Sequence, residues 1–258
     1  LSSTDFQDEI IISGEGPVRQ VTLNRPDQLN SVSPGLHRSL ATVWRDLSED
    51  DEIRAVILTG AGRAFSAGGD FDLIARIARE AEFRYDLLAE ARQIVREMVA
   101  FPVPIVAAVN GPAVGLGCSI AVLCDIILIS DQAYFADPHV SLGVVAADGG
   151  VLAWPAYMSL ARAKQYLYTG DRIDAVTAER IGLANEVVPH DELMDRAQAL
   201  AARLAAQPRQ ALKDTKRVLN VHLERMISSV IDFAFAAESE TFALPSFSER
   251  LEKMRREG

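Results

Sequence analysis

The chain has 258 residues, 49% of them hydrophobic and 24% charged, with a formal net charge of −10. That composition excludes extended disorder, and the length suits one substantial core with or without an appendage. The acidic balance argues against a nucleic-acid partner, but a small anionic ligand can still be held by backbone N–H groups.

The stretch from Leu1 to Asp8 is polar and carries no leader-like run. Glu9–Ser13 and Val18–Leu23 then read as strands around a Gly14–Pro17 turn. Ser33-Pro34 offers a helix cap followed by proline at the first helical position, with Leu36, Leu40, Val43, Trp44 and Leu47 as the apolar stripe. Ala55–Leu58 is a buried-strand pattern that runs into a glycine-containing loop ending at Gly69, where Asp70 can cap the next helix. Helical sequence continues to about Ala100 and stops at Pro102 and Pro104.

Strand Ile105–Val109, loop Asn110–Gly117, a short helix near Cys118–Leu123 and strand Ile126–Ile129 follow. This alternation predicts an α/β core. From Asp191 the pattern is almost wholly helical, broken at Pro208 and Pro245, so residues 1–200 read as core and 201–258 as a helical appendage. The apolar runs are far shorter than the roughly 20 residues that cross a bilayer, so no membrane partner is expected. Cys118 and Cys124 sit in apolar sequence without a disulfide framework, which suits a reducing cytoplasm.

Two loops carry the functional signal. Phe65-Ser66-Ala67-Gly68-Gly69-Asp70 and Asn110-Gly111-Pro112-Ala113-Val114-Gly115-Leu116-Gly117 each lie between a strand and a helix. Glycine there permits close backbone approach to a ligand, and free N–H groups at a helix start favour negative charge. Either loop alone is equally well a strand-to-helix turn with glycine for steric reasons. Neither fits a dinucleotide or phosphate-loop motif.

Taken together, and with Leu23-Asn24-Arg25-Pro26, Cys124-Asp125-Ile126, Tyr168-Thr169-Gly170-Asp171 and Gly182-Leu183-Ala184, the loops resemble the crotonase (enoyl-CoA hydratase/isomerase) superfamily over nearly the whole chain. The resemblance implies an α/β spiral of ββα units whose C-terminal helical region serves trimer contacts, as a homotrimer or dimer of trimers. It implies an acyl-CoA substrate, with coenzyme A arriving as part of the substrate and no separate cofactor. It also implies an oxyanion hole from the N–H groups of Gly69 and Leu116, with Arg25, Ser66, Ala67, Gly68 and Asp70 around the CoA.

The family's hydratases use two glutamates, and this chain has Ser119 and His139 at the matching positions. The two-glutamate mechanism is therefore not expected. Histidine titrates near neutral pH, and nine residues on lies Asp148, a candidate to orient the ring. Without the family context, His139 reads as a surface histidine beside a turn aspartate.

Pro138-His139, Asp148-Gly149 and Trp154-Pro155 further resemble the corresponding stretch of 6-oxocamphor hydrolase, a crotonase relative that cleaves a carbon–carbon bond in a cyclic β-diketone. His37 and Glu238 match that enzyme's active-site histidine and glutamate; their alternative reading is as solvated helix residues. Val32 replaces its active-site tryptophan. That hydrolase works without CoA, whereas this chain keeps the CoA-type loop, so the combination implies a CoA thioester handled by hydrolase-like acid–base groups. The rival readings are a CoA-independent β-diketone hydrolase and a non-catalytic acyl-CoA-binding protein.

His190 and His222 gain no role, and no metal-ligand spacing appears. Asp125 reads as structural. Lys213, Lys216 and Arg217 read either as a solvated helix face or as a contact to CoA phosphates across a subunit boundary.

Overall fold

In the computed structural model, residues 8–257 are described, and the polar stretch 1–7 lies outside the described residues. The main sheet contains β1 (Ile10–Ser13), β2 (Val18–Leu23), β3 (Ala55–Gly60), β4 (Ile105–Val109), then β6 (Ile126–Ser130) and β9 (Glu186–Val188). Only the β1–β2 pair is antiparallel. A smaller sheet joins β5 (Ala113–Val114), β7 (Tyr134–Ala136) and β8 (Ile173–Asp174).

Every residue of β3 and β4 is buried. Parallel strands with continuous apolar sequence need cover on both faces, and alternate residues supply the two cores. Ala55, Ile57, Val106, Ala108 and Leu128 pack with Leu193, Ala197, Leu200 and Ala201 of a C-terminal helix, whereas Val56, Leu58, Ile105, Ala107 and Val109 face the larger core.

Helix α1 (Pro34–Ser48) begins as its sequence dictates: Ser33 accepts a hydrogen bond from Leu36 N–H, and Pro34 occupies the first turn. Its expected stripe is buried, with Trp44 edge-on to Phe101 at 5.7 Å. Asp70 caps α2 (Phe71–Arg79) through Leu73 N–H. The helical run read as continuous to Ala100 breaks at Glu80, whose backbone is extended, and resumes as α3 (Ala81–Ala100).

Next come α4 (Leu116–Val122), α5 (His139–Leu142), α6 (Gly150–Tyr157), α7 (Leu160–Thr169), α8 (Ala175–Ile181) and α9 (Leu193–Ala205). The chain then forms α10 (Arg209–Phe242), of 34 residues, and α11 (Pro245–Glu257), with breaks at the expected prolines. Among the described residues no helix is long and apolar enough to cross a membrane.

Lys216 is not a solvated side chain. It is 7% exposed, and its Nζ donates to Asp125 Oδ2 at 2.7 Å and to the Val103 carbonyl at 2.8 Å. Asp125 Oδ2 also accepts from Ile105 N–H at 2.7 Å, so the pair ties α10 to the start of β4. Breaking a buried pair from one side strands the partner charge. Lys216→Ala is therefore expected to cost about 3 kcal/mol in denaturant unfolding, and a variant as stable as the parent would show the pair contributes nothing.

Candidate active site

The two glycine loops lie against each other. Phe65 and Ser66 N–H donate to the Pro112 carbonyl at 3.1 and 3.0 Å, and Val114 N–H donates to the Ser66 carbonyl at 2.9 Å. Glycine is required at the contact: a Cβ on Gly68, whose φ is +82°, would sit 2.8 Å from the Val114 carbonyl oxygen, and one on Gly117 would sit 2.6 Å from that of Ser66. The Gly68 N–H turns to Ser66 Oγ and the Gly115 N–H to the Ala136 carbonyl. Gly69 and Leu116 line the adjoining cavity, and Leu116 opens α4, where N–H groups have no intrahelical acceptor.

That cavity has a volume of about 240 Å³. Its apolar wall comes from Leu73 and Ile77 of α2, Leu87 of α3, Phe242 of α10 and Phe247 of α11. Its polar lining comprises His37, His139, Asp148 and Glu238, four residues drawn from separate segments.

His139 is the first residue of α5. Its ring lies under the second glycine loop, with Cε1 3.5 Å from where a Gly115 Cβ would be. Nδ1 is 2.5 Å from Asp137 Oδ1, and Nε2 is 3.5 Å from Asp148 Oδ2. The closer carboxylate is thus Asp137, not the Asp148 singled out in the sequence. Asp148 is held from the other side by the Ser119 hydroxyl, which donates to Oδ1 at 3.0 Å. Burial disfavours the imidazolium, but the charges of Asp137 and Asp148 outweigh it, so the His139 pKa lies well above the ordinary histidine value. Burial also raises Asp148, with His139 and Ser119 acting against that rise.

His37 is 2% exposed, which rules out its reading as a solvated helix residue. Its Nδ1 lies 2.8 Å from Glu90 Oε2 of α3. Glu238 is equally buried, and its Oε2 has no hydrogen-bond partner. Burial, aided by the charge of Asp148 and only partly offset by His139, pushes the Glu238 carboxyl well above the usual range. A carboxyl raised in the folded state contributes stability that is full below the unfolded value of about 4.3 and is lost as pH rises through the folded one. Glu238→Gln removes that loss. The variant should gain melting temperature over the parent as pH rises above about 4.3, the unfolded carboxyl value; a parallel pair of pH curves would show that Glu238 is not shifted.

Among the CoA-loop residues, the Ser66 hydroxyl is fully buried and donates to the Asn30 carbonyl at 2.8 Å, so it holds the loop rather than facing a ligand. Arg25 pairs with Glu9 and Asp70, each at 3.1 Å. Asp70 is occupied by this pair and by its cap. Ala67 and Gly68 line the cavity. Sequence reasoning missed Asp137 and Glu90. It also missed Asn30, whose side chain accepts from Arg25 N–H and donates to the Ala61 and Ala64 carbonyls. Asp137, His139 and Asp148 could each offer one ligand atom to a cation, but Nδ1 is already engaged by Asp137.

A family profile described as enoyl-CoA hydratase/isomerase matches residues 13–254. The chain belongs to the enoyl-CoA hydratase/isomerase family. It is 36% identical to the short-chain-enoyl-CoA hydratase of Clostridium acetobutylicum over 234 residues, covering 90% of this chain and 87% of that one. Its structure is similar to that of an enoyl-CoA hydratase/isomerase from Mycobacterium paratuberculosis, with a TM-score of 0.94 and 48% identity over 96% and 99% of the two chains. It is also similar to a β-diketone hydrolase from the cyanobacterium Anabaena, solved bound to (S)-3-oxocyclohexyl acetic acid, with a TM-score of 0.85 and 29% identity over 91% and 94%. The chain is thus an enzyme of the crotonase superfamily, with that fold and a C-terminal helical region.

Proposed function

We propose that this family member binds an acyl-CoA thioester and stabilises its enolate at the N–H groups of Gly69 and Leu116. Donors aimed at an oxygen that gains charge are a large source of catalysis. Proton transfer then falls to His139 and Asp148 in place of two glutamates. The observation that carries the reading is one cavity lined by both glycine loops and by this pair. The two groups titrate as a unit, in which the charges of Asp137 and Asp148 favour the protonated ring against its burial. It is therefore suited to deliver a proton to the enolate carbon. No cofactor is needed beyond the CoA of the substrate, with Ala67 and Gly68 beside it. Val218 and Leu219, exposed on α10, support the expected trimer contact.

Hydrolytic carbon–carbon cleavage is favoured over simple hydration by His37 and Glu238, which add two further polar side chains to the same cavity. In such a cleavage the water oxygen bonds to the 3-oxo carbon of the thioester and gives up its proton to His37, which is paired with Glu90. The bond from that carbon to its neighbour breaks with its electrons passing into the enolate, and the enolate carbon takes a proton. Calorimetric titration of a short acyl-CoA, followed by product analysis across enoyl-CoA and 3-oxoacyl-CoA thioesters, tests the proposal. Saturable binding with turnover of the oxoacyl thioesters supports it. Absence of CoA binding with turnover of a free cyclic β-diketone would replace it by the CoA-independent hydrolase, and binding without turnover by the non-catalytic reading.

A further inference from the structure

We propose that Asp137 is the positioning carboxylate of His139, and that Asp148 is the carboxylate that meets the substrate. This rests on the reading of His139 as an acid–base group. The geometry separates the two aspartates. Asp137 is 1% exposed and does not line the cavity, whereas Asp148 does. Asp137 Oδ1 is 2.5 Å from Nδ1 and also accepts the His139 backbone N–H at 3.2 Å, so one carboxylate oxygen holds both ring and main chain. Proline between the two residues restricts the backbone further.

Asp148 holds less tightly. At 3.5 Å from Nε2 it lies beyond a good hydrogen bond, and its other oxygen is fixed by Ser119. The ring edge that carries Nε2 thus faces the cavity, where a proton can pass between Nε2, Asp148 and a bound molecule. The other edge is committed. A carboxylate on Nδ1 sets the ring orientation and stabilises the protonated form. Asp137 Oδ2 has no partner and is buried, so the charge of Asp137 is compensated through His139 alone. Gly150 makes the space: a Cβ there would lie 2.3 Å from Oδ2.

The charged and titratable groups facing the ring are Asp137 before α5, Asp148 in the loop before α6, and Glu238 from α10, with His37 of α1 acting on Asp148. Asp137→Asn removes a negative neighbour and should move the alkaline limb of the pH–rate profile down. It should also lower kcat by about 100-fold, with KM for the acyl-CoA changed by less than about twofold. Gly150→Ala, which keeps the carboxylate but crowds it, should shift kcat in the same direction.

Proton-detected NMR on ¹⁵N-histidine-labelled full-length enzyme reads the arrangement without a variant, which covers the case in which Asp137→Asn does not fold. Among four histidines, the resonances lost in His139→Ala are those of this ring. A protected, strongly downfield Nδ1–H in the parent, kept in Asp148→Asn, supports the proposal. A downfield proton found on Nε2, or one lost in Asp148→Asn and kept in Asp137→Asn, overturns it. Unchanged turnover in His139→Ala would instead sink the acid–base role of His139, whichever carboxylate the ring prefers.

Discussion

His139→Ala is expected to lower acyl-CoA turnover by about 10²–10⁴-fold, the usual worth of a positioned general acid or base. Binding should survive, because the proposed CoA-side contacts lie in the glycine loops and the apolar wall of the cavity comes from α2, α3, α10 and α11. Loss of kcat with little change in calorimetric affinity is the expected signature of a group that acts in the transition state. The profile should also carry a sign. Since His139 is raised above its ordinary value, the parent should keep its activity past about pH 6.5, the ordinary histidine value, and lose it only at higher pH, and Asp148→Asn should move that limb toward lower pH. Crotonyl-CoA hydration at an undiminished rate in His139→Ala would show that the proton is handled elsewhere.

Ser119→Glu returns the hydratase-type glutamate and is expected to fail. Ser119 is 1% exposed, and its hydroxyl lies between the Gly115 carbonyl at 3.2 Å and Asp148 Oδ1 at 3.0 Å. A Cβ on Gly149 would sit only 2.3 Å from the Ser119 Cβ, so the two backbones are already in contact. One more methylene and a carboxylate in place of the hydroxyl have no space there, and the new charge would face Asp148. Overpacking of this kind costs typically 1–3 kcal/mol, and the like charge adds to it. The variant should melt earlier and gain no hydratase activity. A clear gain of crotonyl-CoA hydration would mean that Asp148 does not occupy the place of that side chain.

Much of this architecture was legible in the sequence. The Ser33-Pro34 cap, the α1 stripe, the two glycine loops and the proline breaks after α9 and α10 each have a local cause, and each lies where that cause puts it. His139 was legible through its place in the family pattern. Its closest partner had a local signal that went unused: an aspartate two residues before a helix start, across a proline, can accept a backbone N–H. Other contacts were not legible. Glu90 is 53 residues from His37 on a helix with several acids, and no pattern selects one of them. Asn30 works in a left-handed backbone conformation, with φ of +52°, and reaches carbonyls more than 30 residues away. Lys216 looked solvated because its sequence neighbours are charged; only the packing of α10 against Val103 buries it.

Much of the apolar cavity wall arises from other stretches of chain than His139 and its aspartates. Residues 137–148 hold the imidazole and its aspartates, while Leu73, Ile77, Leu87, Phe242 and Phe247 shape the apolar space. Changes in that wall can therefore leave His139 and its two aspartates in place. Trimming Phe242 or Phe247 would enlarge the apolar side of the cavity from the C-terminal helices. Engineering for bulkier or ring-bearing thioesters has its natural starting point there.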